Sequence, residues 1–193
     1  DSAVNIAYAS QGGLGLPDKT YYFEENHADK LAAYEKHVAR VLELSGIEAA
    51  QAASLAADVV AFETRLADKS RSRVELARDA ELFYNPVSLE EADALTPNFP
   101  WTAFFESQGV DTPEMFSLAM PEFHGEVDAM LTDVPVETWK AYLRFHSVDD
   151  ASPYLSSEFV QASYDFYDRT LRGQQEMEPE WKRVLGTINS QVG

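Results

Sequence analysis

Gly13-Leu14-Gly15-Leu16-Pro17-Asp18-Lys19-Thr20-Tyr21-Tyr22 is the stretch on which the reading of the chain turns. Gly13 to Thr20 runs G-x-x-x-x-D-K-T, one residue away from the phosphate-binding loop G-x-x-x-x-G-K-[ST]. That loop needs its second glycine because the backbone turns sharply there and presents amide hydrogens to phosphate. Asp18 places a side chain and a negative charge at that position, and Pro17 removes an amide donor. A nucleotide cradle is therefore rejected. What remains is a turn stiffened by glycine and proline, with its leucines and tyrosines anchored in a core.

Working outward, Val4, Ile6 and Tyr8 alternate at period two and predict a short strand or extended lead-in within residues 1–12. Beyond the turn, a helix is expected from about Glu24 to Ser45. Leu31, Tyr34, Val38, Val41 and Leu42 lie on one face, acidic residues stand near its start, and Gly46 is a natural stop. A second helix should span Glu48 to Lys69, where the stripe Leu55, Val59, Phe62 and Leu66 suits antiparallel packing on the first. Its alanine-rich opposite side would let another helix approach closely. Residues 70–87 read as irregular. Ser88 and Glu91 form a capping box, and Phe99-Pro100-Trp101 opens a short helix ending at Gly109. Helical stripes recur at Trp139, Tyr142, Leu143 and His146, and at Trp181, Val184, Leu185 and Ile188. Between them lies an aromatic-rich helix from Phe159 to Leu171, then an acidic loop carrying Glu176, Glu178 and Glu180.

The 193 residues, 45% apolar and 12% aromatic, suffice for a sizeable core. No run approaches ~18 apolar residues, so a spanning helix is not expected. A formal charge of -18 repels nucleic acid phosphates and anionic lipid, which excludes nucleic acid and membrane contact as partners of this segment. With no cysteine, disulfides, thiol catalysis and cysteine-ligated metal are impossible within it.

The turn and three later elements resemble the non-catalytic helical domain of the neprilysin and endothelin-converting-enzyme family of zinc peptidases. GLGLPDKTYY is similar to that family's Gly-Leu-Gly-Leu-Pro-Asp-x-x-Tyr-Tyr signature. Arg78-Asp79 with Tyr84-Asn85-Pro86, then Phe99-Pro100-Trp101, then Leu171-Arg172-Gly173 with Trp181-Lys182-Arg183 follow in the family's order. The departures are Lys19 for the usual arginine, Pro100 for aspartate, and Glu180 where arginine is common. The resemblance covers almost the whole chain. It implies a zinc metalloendopeptidase as the parent protein, a hydrolase of oligopeptides placed outside the cytoplasm (periplasmic, secreted or at the cell surface). The absence of cysteine suggests a bacterial relative. The start at Asp1, with no methionine or signal peptide before it, reads as an internal piece of something longer.

The chemistry of such an enzyme needs H-E-x-x-H, two histidines one helical turn apart with a glutamate base. No two of His27, His37, His124 and His146 have that spacing. His27 and His37 would lie about 15 Å apart along one continuous helix and are read as partly exposed structural residues. Glu122, His124 and Glu126 converge only if extended, and on a helix they form a solvated face. His146 is expected as a hydrogen-bonded imidazole at the core edge. Glu90-Glu91 and Asp149-Asp150 read as caps, and the glutamates of the acidic loop lack the spacing of a calcium site. No G-x-S-x-G is present. Tyr164 and Tyr167 fit either a peptide groove or core packing, and core packing is preferred.

The expected fold is mainly α: an antiparallel multi-helix bundle with a short extended N-terminal segment, in a single helical domain covering 1–193 that is part of a larger peptidase and excludes its catalytic domain. No catalytic, cofactor-binding or metal-ligating residue is assigned, with zinc expected in the parent alone. The partners implied are the parent's catalytic domain and oligopeptide substrates, and this segment alone should have no peptidase activity. The competing reading is an independent helical module that binds peptides or proteins without an enzymatic role.

Overall fold

A computed structural model describes residues 6–109, 111 and 113–192; Val4 of the alternating N-terminal pattern lies outside them. The architecture is mainly α, with one small sheet. Its frame is a hairpin of α2 (Ala28–Leu44) and α3 (Ala49–Lys69). α2 stops as glycine permits: Gly46 takes a left-handed φ of 96°, and the amides of Gly46 and Ile47 close on the carbonyls of Glu43 and Leu42. The Glu48 side chain then caps α3 through the amides of Ala50 and Gln51. The expected stripes face each other here. Tyr34, Val38, Val41 and Leu42 are buried against Val59, Phe62 and Leu66.

The first helix is shorter than its periodicity suggests. Thr20–Phe23 forms a separate turn of helix, α1, after which Glu24 is extended and Glu25–His27 forms a 3-10 turn. α3 also packs on α7 (Pro121–Asp133) and on α8 (Val136–Ala151), which closes the core with Tyr142 and Phe145. Leu143 is 56% exposed, so the buried face of α8 runs through Ala141, Tyr142, Phe145 and Asp149, rotated from the stripe that included it. After α9 (Ser157–Ser163) the backbone widens into a π-helix over Tyr164–Leu171, and Gly173 ends it with φ 76°.

Residues 70–87 hold α4 (Arg73–Arg78) and a 3-10 turn, and strand β2 (Pro86–Ser88) follows. β3 (Met115–Leu118) is the middle strand, parallel to β1 (Tyr8–Ala9) and antiparallel to β2. The extended lead-in is thus a strand, whereas β2 and β3 were not expected. Strands this short leave no alternation to detect. A second apolar cluster covers the sheet, where α5 (Leu89–Leu95) and α6 (Trp101–Ser107) pack Ala92, Trp101 and Phe105 on Phe116 and Leu118. The Ser88–Glu91 capping box forms, and Trp101 donates its indole N–H to Thr96 at 2.8 Å.

Candidate functional site

The strongest concentration of chemistry lies inside the bundle. Glu63 follows Phe62 on the core face of α3 and is fully buried. Burying a carboxylate is costly unless its oxygens are saturated, and here four donors do so. Tyr22 hydroxyl lies 2.5 Å and the Gly15 amide 3.2 Å from Oε2; Tyr34 hydroxyl lies 2.7 Å and His146 Nε2 2.8 Å from Oε1. Burial first, and the neighbouring Glu63 charge second, push both tyrosines well above the ordinary phenol range. They stay donors at any ordinary pH.

This arrangement explains the glycine turn. Its amides point inward: Gly15 N–H goes to Glu63, and Leu16 N–H to the Tyr22 hydroxyl at 3.3 Å. The Gly13 carbonyl accepts from Tyr142 at 2.8 Å. Asp18 accepts from the amides of Thr20 and Arg73. Burial opposes ionisation of Asp18, but those amides outweigh it and hold its carboxyl below the usual range. Lys19 Nζ caps the carbonyls of Asp68 and Ser70 at the end of α3. The Lys19 ammonium and the amides of Gly15, Leu16 and Thr20 are thus already used by the protein. Leu16 and Tyr22 are buried, as expected of anchors.

A second buried carboxylate stands one turn along α8. Asp149 Oδ1 lies 2.7 Å from His37 Nε2, and Tyr167 donates to Oδ2 at 2.6 Å. The His37 ring stacks on Phe166. His37 is therefore buried rather than partly exposed, and Asp149 is an interior acceptor rather than a cap, because α8 turns it inward near its C-terminus. His37 also lines a cleft of about 620 Å³ with Lys36, Arg40, Ser157 and Asp165. Ser157 makes no hydrogen bond to His37, so no Ser-His-Asp array assembles. Tyr164 is buried in the core, and Tyr167 is anchored to Asp149.

The solvated-face reading of His124 is corrected by packing. α7 tucks the ring against Trp101 and Phe123, with Nε2 3.2 Å from the Ala9 carbonyl. Glu122 and Glu126 turn away to Arg71 at 3.4 Å and Arg65 at 2.6 Å. Burial depresses the His124 pKa, against smaller raising effects of the Ala9 and Ala119 backbone. A group whose charged form is disfavoured on folding takes up its proton more readily when unfolded. Stability should therefore fall as pH drops below about 6.5, and His124→Gln should flatten that part of the profile. Denaturant midpoints of both proteins at pH 7 and pH 5 test this; equal slopes would refute it.

His27 sits in the 3-10 turn, stacked on Tyr21 at 4.2 Å, so it does not share a continuous helix with His37. His146 is the expected core-edge imidazole. Among the described residues no group of three or more His, Asp or Glu side chains is placed to hold a metal ion. His37, His124 and His146 are each engaged through Nε2 with a different partner. Glu63 escaped the sequence reading although a signal existed, because it continues the stripe Val59, Phe62, Leu66 as a charged residue on an apolar face.

A family model described as Peptidase family M13 matches residues 1–193. An endothelin-converting enzyme homolog of Locusta migratoria is 28% identical over the whole chain, which spans 28% of that protein. Zinc metalloprotease Zmp1 of Mycobacterium tuberculosis in its open state superposes with a TM-score of 0.88 at 33% identity, over 95% of this chain and 29% of that one. Its inhibitor complex gives 0.89 at the same identity.

Proposed function

The chain belongs to peptidase family M13, and from that premise we propose that it forms part of the helical, non-catalytic half of a zinc endopeptidase that cleaves oligopeptides outside the cytoplasm. The observation that carries this reading is the inward commitment of its reactive groups. The buried carboxylates Glu63, Asp149 and Asp128, the last accepting from Asn98, and His37, His124 and His146 are all engaged in the packing of the fold. Such a unit acts by shape: it is one wall of a chamber that admits short flexible peptides and excludes folded proteins. Zinc, bound by residues of the parent outside this chain, would supply activation of the attacking water. No helix among the described residues is long and apolar enough to cross a membrane.

The parent protein is expected to hydrolyse unstructured peptides, to spare the same sequences inside folded domains, and to lose activity to a chelator. Residues 1–193 alone should bind no stoichiometric zinc, and a chelator should leave their thermal midpoint unchanged. Peptide turnover or tight zinc binding by that stretch would overturn the proposal.

A further inference from the structure

One turn of α2 sets Lys36 and Arg40 beside His37 along the cleft of about 620 Å³, and residues of α9 and the π-helix form its other wall. His37 is the floor. Its side chain is only 3% exposed, and its ring is fixed by stacking on Phe166 and by Asp149 at Nε2. A carboxylate can only accept, so Nε2 carries the hydrogen and Nδ1 is left as an acceptor. Nδ1 makes no hydrogen bond among the described residues, yet it is not sealed from solvent. An immobilised acceptor at the bottom of the cleft is therefore unclaimed.

The rims carry charge of opposite sign. Lys36 and Arg40 stand on α2, Glu158 and Asp165 on the facing wall. Arg40 is held by Glu43, and Asp165 by Gln161 and Arg169. Lys36 and Glu158 pair with nothing among the described residues, each other included, so the gap between the walls is wider than an ion pair spans. Asp165, Phe166 and Thr170 belong to the π-helix, whose widened turn shows in the Thr170 hydroxyl donating to the Asp165 carbonyl at 2.7 Å. Such a widening is rare and is mostly kept where a helix serves a site.

We infer that this cleft binds a zwitterionic dipeptide, with its carboxylate at Lys36 and Arg40, its ammonium at Glu158 and Asp165, and its amide N–H at His37 Nδ1. The inference goes beyond the peptidase reading and does not depend on it. Each lining group selects against a simpler ligand. An inorganic anion would satisfy Lys36 but meet Glu158 and Asp165 as like charges, and a cation would meet the reverse at Lys36 and Arg40. A free amino acid carries both charges, but its only N–H donors are those of the ammonium, which Glu158 claims. A dipeptide has one amide N–H between two charged ends, which matches one acceptor between two charged rims. The volume lies mid-way in the range of small-molecule sites, about 300–1,000 Å³, and leaves room for two side chains against Ala33, Ala162 and Phe166. On the peptidase reading, a dipeptide is also the kind of fragment that hydrolysis of longer peptides leaves behind.

Isothermal titration of the full-length parent with Ala-Ala measures this. Binding in the millimolar range or tighter is expected, and Lys36→Gln and Glu158→Gln should each weaken it at least about tenfold. Both side chains are exposed at the rims, so neither change disturbs the core. N-acetyl-Ala-Ala, which lacks the ammonium, should bind weakly and be indifferent to Glu158→Gln, since the partner of that carboxylate is already gone. Ala-sarcosine is an isomer of Ala-Ala without the amide N–H, and it tests His37 with the core intact. Its binding should be at least about fivefold weaker. Absence of Ala-Ala binding at about 10 mM overturns the inference. So does binding that Lys36→Gln or Glu158→Gln leaves unchanged. Affinity for Ala-sarcosine or free alanine equal to that for Ala-Ala overturns the choice of a dipeptide. Binding needs no turnover, so a parent that hydrolyses peptides but ignores Ala-Ala fails here alone. One that binds Ala-Ala and hydrolyses nothing fails the functional proposal alone.

Discussion

Glu63→Ala should lower stability by about 4 kcal/mol and the thermal midpoint by roughly 10 °C, the largest effect expected of any single substitution in the chain. The change strips the acceptor from the Tyr22 and Tyr34 hydroxyls, the Gly15 amide and His146 together. A buried donor without a partner costs about 1–3 kcal/mol, and the four share one cavity, so their losses do not simply add. Glu63→Gln retains an acceptor oxygen and the volume, and about half the loss is expected. Removing the charge together with its main partners, as in Glu63→Leu with Tyr22→Phe and Tyr34→Phe, should cost less than Glu63→Ala, because nothing polar is then stranded. Urea unfolding of the three variants measures this. A loss below about 1 kcal/mol for Glu63→Ala would mean that the carboxylate is not the centre of the packing.

Gly15→Ala ranks next, at about 3 kcal/mol. A Cβ at this position would overlap the Tyr34 hydroxyl and come within 2.6 Å of its Cζ. Tyr34 has no room to yield, since it is completely buried and held on Glu63. The insertion must therefore displace either the ring or the turn, and both lead back to the same carboxylate. Tyr34→Phe removes the nearest atom but leaves the ring carbons, so the double variant should be less destabilised than the sum, by about 1 kcal/mol. Strict additivity in a double-mutant cycle would show that the turn and the tyrosine are not coupled.

These expectations mark where the sequence was readable. The hairpin of α2 and α3 was legible because long apolar stripes and Gly46 act locally, and α3 begins and ends within a residue of the expected bounds. The anchoring of Leu16 and Tyr22 followed from the turn itself. Interior polar partners were illegible, because Glu63 and His146 are 83 residues apart and His37 and Asp149 are 112 apart, with no local pattern joining them. His124 was misjudged for a related reason. Its flanking glutamates describe the surface of α7, whereas its own ring is covered by Trp101 from another helix. The stripe at Trp181, Val184, Leu185 and Ile188 does lie on a helix, α10 (Glu180–Val192), yet its side chains are exposed. Periodicity reports that a face is apolar, not what covers it.

The inward-facing glycine turn also sets an order of events during synthesis. Its acceptor lies on α3, 41 residues beyond Tyr22, and the carboxylate is completed only by His146 on α8. A nascent chain therefore carries the turn past the ribosome exit with its amides still hydrated. The turn, made before the helices that complete it, locks into place among the last parts of the bundle.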